Sequence, residues 1–305
     1  MFQAGAVGSG EDVRYEGRPP SPTRPCLVTD PILWGREVKA MRIDFHHHLL
    51  NEPDYADHLV DTCHRLGIER VCCSGLGLPS RNWLGDLSPN NDDVLRAMDR
   101  YPDTVIGFGV IRLGHDGPDA VDRLHAQGFR GLKTTRPAAR YDDPSFWPLY
   151  ARAEAKGLPI LFHTGFVLTT DRDQEDSVSS DYMRPVCLDL VARRFPRLRF
   201  VAAHLGMPWH EEAACLARFH PNVYVDLTGS PAGWRNRRSP AWFAEHLFWP
   251  DAWRKVVFGT DVHWRDMEGA LADYQRILAL CNVPTDVQED IWGGTAAAWL
   301  GIDDA

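Results

Sequence analysis

Long apolar runs are missing from this 305-residue chain. Stretches such as Leu158-Pro-Ile-Leu-Phe162 fall far short of the roughly 20 residues a membrane-spanning helix needs. The first residues also lack the charged segment and apolar core of a secretory signal. Basic residues are in deficit, 33 Lys and Arg against 42 Asp and Glu for a net charge of -9. No basic run could grip a phosphate backbone, which excludes nucleic acid as a partner. Cysteine pairing is absent too. The seven cysteines are scattered, with Cys72 and Cys73 adjacent, and no spacing matches a zinc knuckle or a disulfide framework. They read as free, mostly buried thiols. What remains is a cytoplasmic protein with a small-molecule substrate and no membrane or nucleic-acid partner; a homo-oligomer stays open.

The composition, 44% hydrophobic and 25% charged, is that of a globular chain with ample core. Residues 1–40 are rich in Gly, Pro, Arg and Ser without helical or strand periodicity, and read as a flexible leader. Met41 could serve as an alternative start. From Arg42 onward a short apolar strand, a polar or glycine-rich break and a helical stretch recur. Eight strands are expected: Arg42–His46, Glu69–Cys73, Thr104–Val110, Gly131–Thr134, Leu158–His163, Leu198–His204, Asn222–Leu227 and Lys255–Gly259. Their near-continuous apolar runs suit strands covered on both faces. Helices are expected at Tyr55–Leu66, Asp92–Tyr101, Pro118–Gln127, Ser145–Lys156, Met183–Phe195, His210–Phe219, Pro240–Phe248 and Glu268–Cys281, with a further one over Val287–Leu300. Eight strand-helix units within residues 41–305 point to a single α/β domain, the closed (β/α)8 TIM barrel.

Active sites of such barrels lie at the C-terminal ends of the strands. Strand one ends in His46-His47-His48, strand five in His163, strand six in His204, and strand eight runs into Asp261. Strand alternation would put Asp44, His46 and His48 on one face, with Phe45 and His47 on the other. Three neutral imidazoles and a carboxylate suit one divalent ion, zinc first, with manganese, iron or cobalt also compatible. His46, His48, His163 and Asp261 are therefore the candidate metal ligands. His204 and Asp261 are the candidate catalytic residues, for polarising a substrate oxygen and moving a proton. His263 could line the mouth, while the remaining histidines read as structural or surface groups. Trp83, Phe166, Trp209, Trp234 and Trp264 could flank a flat ring, and Arg81, Arg136, Arg184 or Arg235 could clamp a carboxylate. The acidic stretch between Phe166 and Asp181 disfavours a highly anionic substrate unless Arg172 and Arg184 offset it.

The Ile43-Asp44-Phe45-His46-His47-His48 opening, His163-Thr164-Gly165, His204-Leu205-Gly206, Phe258-Gly259-Thr260-Asp261 and the Ile291–Gly301 tail together resemble the amidohydrolase-related family of the metal-dependent amidohydrolase superfamily. The resemblance runs from Arg42 to Ile302 and implies the barrel, a metal and either of two reactions. One is hydrolysis of a small carbonyl substrate, a lactone or an amide, which is the reading favoured here. The alternative is non-oxidative decarboxylation of an aromatic or muconate-type carboxylate, as in relatives similar to aminocarboxymuconate-semialdehyde decarboxylase. A non-catalytic metal-binding barrel would require a lost ligand or base, and none is lost. Two departures stand out. Thr135 stands where many relatives carry a histidine. Lys133 occupies the strand that bears a carboxylated lysine in binuclear relatives, but the resemblance is closer to mononuclear members, so a single ion is expected.

Overall fold

The computed structural model describes residues 41–76, 90–167, 169, 173, 176–229 and 233–302. The expected leader, Arg81, Trp83, Asp171, Arg172 and Glu175 lie outside these residues. The strands are β1 (Ile43–His48), β2 (Arg70–Ser74), β3 (Val105–Val110), β4 (Gly131–Thr134), β5 (Ile160–Phe162), β6 (Phe200–Ala202), β7 (Val223–Asp226) and β8 (Val256–Val257). They form one parallel sheet in sequential order. Hydrogen bonds from Phe45 N–H to the Phe258 carbonyl (3.0 Å) and from Asp261 N–H to the His46 carbonyl (2.8 Å) join the two ends of the sheet. The expected eight-stranded barrel is therefore the fold.

Helices α1 (Tyr55–Leu66), α2 (Asn91–Arg100), α3 (Pro118–Ala126), α4 (Trp147–Lys156), α5 (Asp189–Arg194), α6 (His210–Phe219) and α7 (Pro240–His246) connect successive strands. After β8 come α8 (Met267–Leu280), α9 (Thr285–Glu289) and α10 (Thr295–Leu300). The single helix expected over Met183–Phe195 is instead two 3₁₀ turns followed by the short α5. Pro185 disfavours α-helical backbone at the residue before it, and Arg184 is extended with ψ 140°. The tail is interrupted by a π turn at Asp290–Gly294.

Side chains alternate between two cores. Ile160, Phe162, Phe200 and Ala202 face the helices, while Leu161 and Val201 join Ile43, Phe45, Cys72, Phe108 and Val257 inside the ring. Ala296, Ala297 and Leu300 of α10 join this inner cluster, and Trp299 packs edge-on against Phe45 and Tyr224.

β1 departs from simple alternation. Asp44 pairs with Val71 but His47 with Cys73, three residues against two, so β1 carries a bulge. Phe45 consequently faces the interior beside His46. Asp44 points outward with His47, accepting from Thr260 N–H (3.0 Å) and Thr260 Oγ1 (2.5 Å). The expectation that Asp44 shares a face with His46 and His48 is thus corrected, because an inserted residue shifts the phase of everything before it.

Candidate metal and catalytic centre

His46 and His48 come from the end of β1, Lys133 from β4, His163 from just past β5, His204 from just past β6, and Asp261 from the segment after β8. They meet at one end of the barrel. His46 Nε2 lies 3.9 Å and His48 Nε2 3.5 Å from Asp261 Oδ1, and His204 Nδ1 is 3.7 Å from Asp261 Oδ2. His46 is fully buried, whereas Asp261 keeps 23% of its side chain exposed, an opening through which a small molecule could reach it. His163 Nδ1 touches His204 Nε2 at 3.2 Å, and its Nε2 lies 3.1 Å from the Phe166 carbonyl. The five expected residues therefore share one site. The tightest trio of donors is His46, His204 and Asp261, while His163 is held through His204.

Two groups outside the expected set complete the centre. Asp226, the last residue of β7, takes His46 Nδ1 at 2.9 Å on Oδ2 and accepts from His204 N–H at 2.7 Å on Oδ1. Thr228 Oγ1 donates to Asp226 Oδ1 (2.6 Å) and meets His204 Nδ1 at 2.8 Å. An ionised carboxylate only accepts, so the His46 proton sits on Nδ1 and the Nε2 lone pair faces the cavity. Lys133 Nζ stands 2.9 Å from that lone pair. Asp226 was legible as a polar residue closing the apolar run Val223–Val225, but drawing the strand to Leu227 hides it.

Strain gathers here as well. His204, Leu205 and Asp261 are non-glycine residues with φ of 60°, 43° and 47°, a conformation that persists where surrounding contacts over-determine it. The His204 N–H to Asp226 and Asp261 N–H to His46 bonds are such contacts.

Burial by itself would raise the carboxyls of Asp226 and Asp261. For Asp226 the contacts with His46, His204 and Thr228 outweigh it; for Asp261 the charges of His46, His48, His204 and Lys133 do. Both acids are held well below the usual carboxylate range. Burial pushes the Lys133 ammonium down to about 8 against the pull of Asp261 and Asp226. It also keeps His48, His163 and His204 below the ordinary imidazole value, hence neutral at pH 7.

The donor chemistry fits a divalent cation. Two carboxylates stand against one ammonium, and burial keeps His48, His163 and His204 neutral, as metal ligands must be. Zn–N bonds of about 2.0–2.1 Å in tetrahedral geometry place ligand atoms about 3.4 Å apart. The 3.5 and 3.9 Å separations from Asp261 Oδ1 are near that edge. His46 also carries the carboxylate partner on its far nitrogen that metal-bound histidines usually have.

Other expected residues have other occupations. His47 is buried between Thr260 Oγ1 and Tyr55 OH. His263 pairs with Glu52 at 2.9 Å rather than facing the centre. Arg184 pairs with Glu212 and lies over the Trp209 ring, Arg235 is buried against Asp273, and Arg136 pairs with Asp173. Phe166 stacks on Trp209 with 5.3 Å between centroids and is 60% exposed.

Among solved structures, an uncharacterised TIM-barrel protein from Bordetella bronchiseptica is 21% identical, with a TM-score of 0.65 over 86% of this chain and 99% of that one. A probable 2-pyrone-4,6-dicarboxylic acid hydrolase from Acinetobacter baumannii is 14% identical, with a TM-score of 0.57 over 85% and 99%. A 5-carboxyvanillate decarboxylase from Novosphingobium aromaticivorans, complexed with manganese and 4-hydroxy-3-methoxy-5-nitrobenzoic acid, is 13% identical, with a TM-score of 0.55 over 88% and 97%. At these identities the likeness is one of fold. No curated protein sequence matches. The amidohydrolase family profile matches residues 43–302, from the first strand of the barrel to the end of α10, and the chain belongs to that family.

Proposed function

We propose that this protein is a metal-dependent hydrolase of a small carbonyl substrate, a lactone or an amide. The observation that carries the reading is Asp261: an ionised, partly open carboxylate within 4 Å of imidazole nitrogens from His46, His48 and His204. His46, His48 and Asp261 would hold the ion once the Lys133 ammonium gives up the His46 Nε2 lone pair, with His163 as the third imidazole once its nitrogen leaves the Phe166 carbonyl or His204. Zinc suits this donor set, and the manganese bound by the decarboxylase neighbour supports keeping manganese as an alternative. A divalent ion held there would acidify water toward neutral pH and polarise a carbonyl.

The chain's own groups supply the remaining work. Asp261 takes the proton of the attacking water and passes it to the leaving oxygen or nitrogen. His204 Nδ1–H donates to Thr228, which in turn donates to Asp226, so its Nε2 carries the lone pair and, once His163 turns from it toward the ion, would serve as a second base on the substrate side. Roles of this kind contribute about 10²- to 10⁴-fold each.

Lys133 supports a second reading. Arg136, Arg184 and Arg235 are engaged within the protein, but an ammonium deep in the centre could hold a substrate carboxylate for non-oxidative decarboxylation. A metal-replete screen of lactones, amides and aromatic or muconate-type carboxylates, followed by acid release and carbon dioxide evolution in parallel, separates the two. Acid release from a lactone or amide is the expected outcome. Carbon dioxide from a carboxylate, without hydrolytic turnover, overturns it in favour of the second reading.

A further inference from the structure

Helix α6 buries Ala213, Ala214, Leu216 and Ala217 against the barrel and turns Glu211, Cys215, Arg218 and Phe219 outward. A groove of about 330 Å³ runs along this face, with Val186, Cys215 and Phe219 in its walls. Val186 is 47% exposed, Phe219 66% and Phe248 53%. The Arg218 guanidinium lies 5.2 Å from the Phe219 ring and 4.6 Å from the Phe248 ring, which draws both rings and the arginine into one patch. Contiguous apolar surface of this kind marks a contact site more often than bare solvent.

The charges on the same stripe identify the occupant. Among the described residues neither Glu211 nor Arg218 has an ion-pair partner, whereas neighbouring Glu212 and Asp189 are paired with Arg184 and Arg193. Glu211 and Arg218 are two helical turns apart, about 10.5 Å along the axis, on the same side of α6. An isologous two-fold contact demands a self-complementary surface. An antiparallel second α6 satisfies that demand: Glu211 of each copy meets Arg218 of the other, and the helix dipoles oppose. A parallel copy would set like charges together. We propose that this face is the contact between two copies of the chain, packed through antiparallel α6 helices. The midpoint between Glu211 and Arg218 falls beside Cys215, so the two-fold axis passes there and the exposed Cys215 thiols of the two copies face each other.

Sedimentation of the full chain is expected to give two chains per particle in the micromolar range. Glu211→Arg or Arg218→Glu alone places like charges opposite at both symmetry-related contacts and should weaken association at least tenfold. The combined swap should restore it, and Phe219→Glu should give single chains. In the wild-type protein a mild two-electron oxidant should join two Cys215 thiols as an intermolecular disulfide, lost in Cys215→Ser. A single-chain wild-type particle overturns the proposal, as does a dimer that ignores both charge reversals. A wild-type dimer that forms no link through Cys215 overturns the antiparallel arrangement without relying on any variant's folding.

Discussion

Both carboxylate oxygens of Asp226 are engaged inside the protein, Oδ2 by His46 and Oδ1 by His204 N–H and Thr228. Asp226→Asn keeps the shape but changes the donors. With its oxygen held by His204 N–H and Thr228, the amide NH₂ would donate to His46 Nδ1 and drive the imidazole proton onto Nε2, the nitrogen facing the cavity. Metal affinity, measured by chelator competition, should fall about 10- to 100-fold. An unchanged affinity would show that His46 Nε2 is not a ligand. His204 is read differently, because its Nδ1 is already tied to Thr228. His204→Asn should retain stoichiometric metal by elemental analysis while turnover drops about 10²- to 10⁴-fold; a metal-free variant would make His204 a ligand, in line with its place in the tight trio with His46 and Asp261.

The π turn at Asp290–Gly294 lies against the start of the barrel. A Cβ on Gly293 would lie 2.0 Å from the Met41 carbonyl oxygen and 3.2 Å from the Ile43 nitrogen. Both are backbone atoms, so no rotamer change relieves the clash. Gly293→Ala should therefore force β1 and the tail apart and cost about 1–3 kcal/mol in denaturant unfolding. A variant as stable as the parent would mean that the tail is not packed on β1. The bulge in β1 works in the opposite sense. It turns both Phe45 and His46 inward, so Phe45 fills the inner core beside Phe108 while His46 reaches the centre next to it. Regular alternation would have sent one of the two outward.

Acid should unfold this molecule through its buried histidines. His48, His163, His204 and His210 are all held below the ordinary value of 6.5, each first by burial, and His210 falls to about 4. A base with a depressed folded-state pKa binds fewer protons folded than unfolded between the two values. Its contribution to stability is complete above 6.5 and is lost as pH falls toward the folded value. For His210 that window runs from 6.5 to about 4, and one proton of difference changes stability by about 1.4 kcal/mol per pH unit. Thermal midpoints should fall across that window, and more shallowly in His210→Gln. A parallel fall in the two proteins would place the acid sensitivity elsewhere. His210 is packed against Trp234 and Trp242, and this burial outweighs the Leu205 carbonyl, which accepts from Nδ1–H and favours the protonated form, so the neutral imidazole is the one the fold accommodates.

The eight-strand order, the barrel and the convergence of His46, His48, His163, His204 and Asp261 were all legible in the chain, because they follow from local facts. Apolar runs make buried strands, and polar residues closing those runs must gather at one end of a parallel barrel. Register, partnership and solvent access were not legible, since each depends on groups distant in the chain. The β1 bulge is defined only against β2, so the phase of Asp44 could not be read from alternation. Asp226 became part of the centre only when β7 came to lie beside β6 and within reach of His46, 180 residues away in sequence. Among the described residues, Arg136, Arg184 and Arg235, read as carboxylate clamps, were claimed by Asp173, Glu212 and Asp273, which the fold carried to them. Lys133 was known by its strand, but its approach to His46 Nε2 and the lowering of its pKa exist only where β4 and β1 face each other across a closed ring.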